Sequence, residues 1–298
     1  WKVYALFSLA ETALLMAGGM DLFQALCHTF GTMATGGFST RTASIGAFDS
    51  PYFDTVIIIF MLFAGINFSL HYQFIKGQPL AFWRNSEFRF FSGLCLVFCA
   101  IVVFSLYGNV YESLGQSLRF GVFQVLSIIT TTGYATADYE LWPPVCQHLL
   151  LFCMFLGASA GSTGGGMKCL RIMLLLKHSY KQVFSLIHPR AVTQVKLGNR
   201  SIPNEVLHSI WGYFMLYIGL FVFCSFLLAA LGVDITTAFA AVIATIGNIG
   251  PGLGLVGPTD NYAHIPILGK WLLILCMLLG RLEIYTVLVL FVPEFWRK

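Results

Sequence analysis

Three stretches of this chain combine hydroxyl or amide side chains with glycine in a way that suits ion chemistry: TMATGGFST (32–40), ITTTGYAT (129–136) and TIGNIGPGLG (245–254). Glycine reaches backbone dihedrals that other residues avoid, so successive carbonyls can be turned to one side. A ring of such carbonyls, supplemented by threonine hydroxyls, can replace the hydration shell of a monovalent cation. Each stretch lies between apolar runs and is too polar to cross a lipid core. None holds an evident catalytic set.

A fourth glycine-rich stretch, LGASAGSTGGGMKCLR (156–171), has a different character. Its glycines, Gly157, Gly161, Gly164, Gly165 and Gly166, each cost a helix about 1 kcal/mol relative to alanine. The apolar helix starting near 145 is therefore expected to break here, near mid-membrane and just below the three stretches. Arg281 lies in the apolar run CMLLGRLEIYTVLVLF, two residues before Glu283. A charge at that depth is costly unless it is paired or faces a cavity. Two readings follow. Arg281 forms a structural ion pair or snorkels; or it lies on a pore axis, hydrogen-bonds the glycine loop and raises the barrier to a passing cation. Three catalytic patterns also match in part. GASAG (157–161) fits a nucleophile elbow with Ser159, which needs a strand-to-helix turn and a positioned base. GSTGGGMK puts Met167 where a phosphate loop needs lysine, with Lys168 one place late. GLGLVG (252–257) fits a dinucleotide fingerprint but follows a short helix rather than a strand.

These residues must be held by membrane helices. The 298 residues are 57% hydrophobic and 10% charged, with mean hydropathy +0.79, against about 25% charged in soluble domains. A net charge of +4 is too small to imply nucleic acid. Runs long enough to span a bilayer fall at roughly 3–20, 52–75, 88–108, 145–176, 207–232 and 266–292. Shorter stretches at 21–36, 112–133 and 234–250 cannot cross, and each ends in a glycine segment. The order of long helix, short helix, glycine segment and long helix thus recurs three times, giving units at 1–77, 85–180 and 203–298. Asp21 and Asp234 open two of the short helices, and Glu112 precedes the third. An acidic residue there caps free N–H groups and complements the helix dipole. The eight cysteines form no C-x-x-C pair and read as small hydrophobes. The start at Trp1, without an initiator methionine or signal pattern, reads as a piece of a longer protein.

Most basic residues fall on one side: Lys2, Lys76, Arg84, Arg89, Lys168, Arg171, Lys177, Lys181, Arg190, Lys196, Arg200, Arg297 and Lys298. That side is cytoplasmic by the positive-inside rule. The glycine segments then face outward, and their links carry Asp49, Asp138, Glu140 and Asp260, with Arg41 as the offsetting basic residue. A mouth rich in carboxylates suits a cation. The basic, amphipathic segment 177–203 follows the glycine loop. It reads either as a helix resting on anionic lipid or as a dock for a cytoplasmic partner.

The stretches TMATGGFST, TTTGYATADYELWP, ASAGSTGGGMK and NIGPGLG resemble the Trk/Ktr/HKT superfamily of potassium transporters, most of all its TrkH/TrkG membrane subunits. The resemblance runs over the whole chain. It implies an all-α polytopic membrane protein with helix–pore helix–filter–helix units around a pseudo-fourfold pore, of which the second to fourth units are present. Filter positions carry over to Ala34, Thr35 and Gly36; to Thr131, Thr132 and Gly133; and to Asn248, Ile249 and Gly250, where potassium would bind. The same resemblance makes the loop at 157–168 a gate and Arg281 its latch. It implies potassium uptake across a bacterial inner membrane without a cofactor or enzymatic step, a homodimer, and a TrkA-type nucleotide-binding partner.

Overall fold

The computed structural model describes residues 1–191, 193–198 and 200–297. Lys298, counted above among the cytoplasmic basic residues, lies outside the described residues, as do Val192 and Asn199 of the basic segment. The first helices are α1 (Lys2–Ala17), α2 (Leu22–Met33), α3 (Pro51–Gly65) and α4 (Phe68–Ile75). A one-turn α5 (Ala81–Arg84) leads to α6 (Ser86–Leu106), α7 (Leu114–Ile129), α8 (Pro144–Leu156) and α9 (Cys169–Ile187). A small antiparallel hairpin, β1 (Lys196–Leu197) with β2 (Arg200–Ser201), precedes α10 (Asn204–Ala230), α11 (Ile235–Ile246), α12 (Ile267–Arg281), α13 (Ile284–Leu288) and α14 (Pro293–Trp296). The chain is an all-α polytopic membrane protein.

Helices α2, α7 and α11 are the three short ones. Each packs against the long helices before and after it: α1 and α3, α6 and α8, α10 and α12. The three groups adjoin where α3 meets α7 and where α8 meets α11. Asp21 caps α2 by accepting from Gln24 N at 2.7 Å, and Asp234 caps α11 by accepting from Thr237 N at 3.0 Å. Hydrogen bonds from the Thr237 side chain and backbone hold the Asp234 carboxyl below the usual range. The middle helix differs from expectation. Its cap is Ser113, which accepts from Gly115 N at 3.2 Å, and not Glu112.

The spans also differ. Helices α6 and α10 are each long and apolar enough to cross a bilayer; the pairs α3–α4 and α12–α13 qualify only when each is counted as one bent span. The expected break in 145–176 is present, between α8 and α9. The runs 52–75 and 266–292, read as continuous, are broken as well, with bends of 102° and 111°. Asn67 stops α3 and restarts the chain as the cap of α4, accepting from Ser69 N at 2.8 Å. At the other bend Glu283 takes a left-handed φ of +64°. Three helices that follow the short ones are thus interrupted at similar places in their groups.

A buried ion pair joins the first two groups. Arg119 of α7 donates to Asp54 of α3 at 2.6 Å and to Asp49 at 3.0 Å, and Asp54 is 2% exposed. Arg119 therefore joins Arg41 in offsetting the outer carboxylates. Removing one partner of a buried pair strands the other charge, at a cost of about 3–5 kcal/mol. Arg119→Ala should lower the melting temperature of the detergent-solubilised protein sharply. Adding Asp54→Asn should restore more than half of the loss.

Candidate functional site

The three short helices end in one backbone turn. Each closes on a residue with right-handed dihedrals, Ala34, Thr130 or Gly247. The next residue is left-handed in every case: Thr35 at φ +51°, Thr131 at +59° and Asn248 at +55°. Two residues later comes a glycine with positive φ: Gly37 at +67°, Gly133 at +86° and Gly250 at +109°. The hydrogen bonds repeat too, with Gly36 N reaching Gly31 O, Thr132 N reaching Ser127 O and Ile249 N reaching Ala244 O, at 2.7–2.9 Å. A β-branched residue in the left-handed region is an outlier, and such strain persists only where the surroundings enforce it. Here it is enforced at equivalent positions.

This geometry shifts one expected register. Thr35 corresponds to Thr131 and Asn248, and Gly37 corresponds to Gly133 and Gly250. The filter positions expected from the resemblance set Ala34 opposite Thr131 and Gly36 opposite Gly133, one residue early. In the third segment Asn248 and Gly250 hold these two positions. A signal for the shift was available, since Gly37 and Gly250 both lie sixteen residues after their capping aspartates.

The segments lean on one another in sequence. A Cβ at Gly37 would run into Thr132 O, and one at Gly133 into Ile249 O; one at Gly250 meets nothing within 4 Å. Between the third and first segments lies a largely apolar cleft of about 950 Å³, lined by Thr35, Gly36, Asn248, Gly250, Met277 and Arg281 among others.

The left-handed residues also tie the segments to what lies below. Thr35 Oγ1 lies 3.0 Å from Thr163 O and 2.7 Å from Ala34 O. Thr131 Oγ1 accepts from Gly165 N at 2.6 Å. Asn248 Nδ2 donates to Met277 O of α12 at 3.1 Å. The loop 157–168 therefore sits directly beneath the first two segments, and Gly165 also approaches Gly247 O of the third so closely that a Cβ would stand 2.5 Å from it. Gly157, Gly161 and Gly166 have positive φ, whereas Gly164 and Gly165 are needed for space.

Arg281 reaches across the structure. Its guanidinium donates to Thr163 O at 3.1 Å and to Ala34 O at 3.3 Å. Glu283, its expected alternative partner, pairs instead with Arg171 at the start of α9. That pair links the break in α12–α13 to the break in α8–α9. Sequence reasoning missed Glu87, whose buried carboxylate accepts from Ala160 N at 2.6 Å and fixes the loop to α6. An acidic residue one place into an apolar helix was the available signal. Backbone bonds fasten the loop to the α3–α4 break: Ser159 N to Gly65 O at 3.0 Å and Phe68 N to Gly161 O at 3.1 Å.

The catalytic near-matches dissolve in this setting. Ser159 follows a helix, not a strand, and its buried hydroxyl has no hydrogen-bond partner among the described residues. Lys168 turns its ammonium back onto Gly164 O of its own loop. GLGLVG follows α11 and holds a short 3-10 turn at Gly254–Val256.

Comparison with known proteins decides the family. Residues 3–298 match the family described as TrkH, cation transport protein. The chain belongs to the TrkH family. It is 45% identical over 302 residues to the Trk system potassium uptake protein TrkH of Escherichia coli strain K12, covering 100% of this chain and 62% of that protein. It is 36% identical to the Trk system potassium uptake protein TrkG of the same strain, covering 61% of it. The chain thus spans about three-fifths of the length of these relatives. Its fold matches the crystal structure of the potassium transporter TrkH from Vibrio parahaemolyticus with a TM-score of 0.93 and 39% identity, over 100% of this chain and 64% of that one.

The register has a direct test. Gly37→Ala combines a left-handed φ with a collision against Thr132 O, whereas a Cβ at Gly36 meets the exposed Phe38 ring at 3.3 Å and Gly31 O at an ordinary 3.9 Å. A left-handed alanine alone costs about 1–2 kcal/mol. In the full-length protein Gly37→Ala should lose at least that much stability by thermal melting, and Gly36→Ala less than about 0.5 kcal/mol. Equal losses would return the register to Gly36.

Proposed function

We propose that this chain supplies three of the pore units of a potassium uptake protein of a bacterial inner membrane, with units at 1–77, 85–180 and 203–298. The observation that carries this reading is the threefold recurrence of one strained turn, left-handed residue then glycine two places on, at the ends of three helices that converge. The short helices aim the negative ends of their dipoles at that point. Carbonyls around Thr35–Gly37, Thr131–Gly133 and Asn248–Gly250 would take the place of water around a dehydrated potassium ion. In this reading the open side between the third and first segments is where a fourth unit of the same build would stand. The similarity to potassium uptake proteins and to a potassium transporter supports the choice of ion.

In this reading the loop 157–168 is the gate. It obstructs the path beneath the filter and is pinned by Thr35, Thr131, Glu87 and Arg281. Arg281 acts twice: it ties down Thr163 O and Ala34 O, and it holds a positive charge on the route of a cation. Helix α9 runs from the loop into the basic segment 177–203, where Tyr180, Val183, Leu186 and Ile187 are exposed. That surface suits a cytoplasmic regulatory subunit of TrkA type, whose movement would reach the loop through α9. A homodimer of the whole transporter belongs to the same proposal. The chain needs no cofactor for this, and potassium is its substrate.

The filter is tested by Gly133→Ser in the full-length protein. It places a side chain against Ile249 O, and rubidium over sodium uptake in cells lacking other potassium systems should fall at least about tenfold, the equivalent of about 1.4 kcal/mol. Unchanged ratios would remove Gly133 from the filter.

The gate is tested at Arg281 by cation flux into liposomes, normalised to folded protein. Arg281→Ala removes both the charge and the two carbonyl bonds, so flux should rise and depend less on the cytoplasmic subunit. Arg281→Lys keeps the charge without the planar fork of donors and should fall between. An order with Ala lowest would leave Arg281 a structural residue only.

A further inference from the structure

The first segment is held from behind by a histidine of the short helix that precedes it. His28 of α2 is fully buried. Its Nδ1 lies 2.7 Å from Gln24 O, so Nδ1 carries the hydrogen and Nε2 is the acceptor. Nε2 lies 3.0 Å from Ser39 Oγ, which donates to it. Ser39 Oγ in turn accepts from Arg41 N at 3.1 Å. A chain of bonds thus runs from the short helix to the outer leg of the segment, Gly37 to Arg41.

A second strap comes from the neighbouring segment. The buried Tyr134 hydroxyl lies 3.0 Å from His28 O and 3.2 Å from Phe38 O. It fits because position 31 is glycine; a Cβ there would collide with the hydroxyl. His28 O and Phe38 O thus share one donor, and ring and backbone of His28 both serve the same leg.

The middle group has the same device in another residue. Gln124 stands six residues before Thr130, as His28 stands six before Ala34. Its Nε2 donates to Ala137 O on its own outer leg at 2.9 Å. In the third group that position is Ala241, and the leg is held otherwise, by Leu255 N donating to Thr237 Oγ1 at 3.0 Å and by Tyr139 OH donating to Gly252 O at 2.7 Å. Of these three braces, that of the first group contains an imidazole, the side chain whose ordinary proton affinity lies nearest physiological pH.

We propose that His28, together with Tyr134, is the positioning residue of the first filter segment, and that it makes the ion selectivity of that segment sensitive to protons. This rests on reading the three segments as a cation filter. A proton on Nε2 turns the acceptor of the Ser39 hydroxyl into a donor. The serine hydrogen loses its partner, and a buried positive charge appears behind a cation path. The charged and titratable groups around it are Arg41 on the link, Tyr134 and, close to Tyr134, Glu11 of α1. Asp49 and Asp54 beyond the link are engaged by Arg119. No carboxylate hydrogen-bonds to the ring among the described residues.

The test uses the full-length transporter in liposomes, with rubidium and sodium fluxes measured as the outer pH is lowered from 8 to 5 in the wild type, His28→Gln, His28→Leu and Tyr134→Phe. At pH 8, His28→Gln should keep most of the selectivity, because an amide serves at the equivalent position 124. His28→Leu should lose roughly tenfold in the rubidium-to-sodium ratio, the scale of one buried hydrogen bond, and Tyr134→Phe should lose a similar factor. Acidification should lower the ratio in the wild type and leave His28→Gln flat. A His28→Leu protein that is folded and keeps the parental ratio overturns the proposal, as does a His28→Gln protein with the parental pH response. A readout independent of transport is the nitrogen spectrum of His28 in isotope-labelled protein, where the hydrogen should sit on Nδ1 and Nε2 should be bare at pH 8. The opposite tautomer overturns the brace even if potassium flux is normal. A failure of potassium flux with the expected tautomer tells against the filter reading instead.

Discussion

At membrane depth a backbone amide that leaves a helix has no water to turn to. The rest of this structure depends on meeting that constraint at six places: three segments after the short helices and three interruptions in the helices that follow them. The solution is reciprocal. Segment residues bond to the interruptions, as Thr35 does to Thr163 and Thr131 to Gly165. The interruptions bond to each other, as Ser159 does to Gly65 and Phe68 to Gly161. Irregular backbone in the first group is thus satisfied by irregular backbone in the second, and the reverse.

Charge follows the same logic. Arg281, Glu87 and the Arg171–Glu283 pair are costly in an apolar medium. Each is placed where helical hydrogen bonding has been given up. Arg281 supplies donors to carbonyls, Glu87 supplies an acceptor to an amide, and the ion pair spans two breaks. Lys168 answers Gly164 O in the same way. These side chains substitute for the intrahelical partners that the breaks remove.

Much of this was legible in the chain. The short helices showed through their length and their capping aspartates, and the glycine loop showed through composition. Arg281 stood out because a charge in an apolar run needs a reason. What could not be read has physical causes. Two adjacent glycines, Gly36 and Gly37, hide which one takes the positive φ, and the neighbour that decides it, Thr132, is almost a hundred residues away. The breaks at Ile66–Asn67 and Leu282–Glu283 contain no glycine or proline, so propensity runs straight through them. At the first the loop from another group offers its backbone, and at the second Arg171 of α9 pairs with Glu283. Glu112 looked like a cap by charge, but Ser113 is one residue closer to the first free amide.

The leaning of Gly37 on Thr132, and of Gly133 on Ile249, has a mechanical consequence. A closed hoop resists widening along its whole rim, whereas a rim with a seam opens like a clip, with the strain gathered opposite the gap. Here the seam is the cleft between the third and first segments, where a Cβ at Gly250 would meet nothing within 4 Å. Arg281 is rooted on the third side and bonded to Ala34 O on the first, so it spans that seam near its lower edge. The residue proposed to place a charge on the axis is therefore also a staple, and in that reading the width of the ring and the charge beneath it cannot be changed independently.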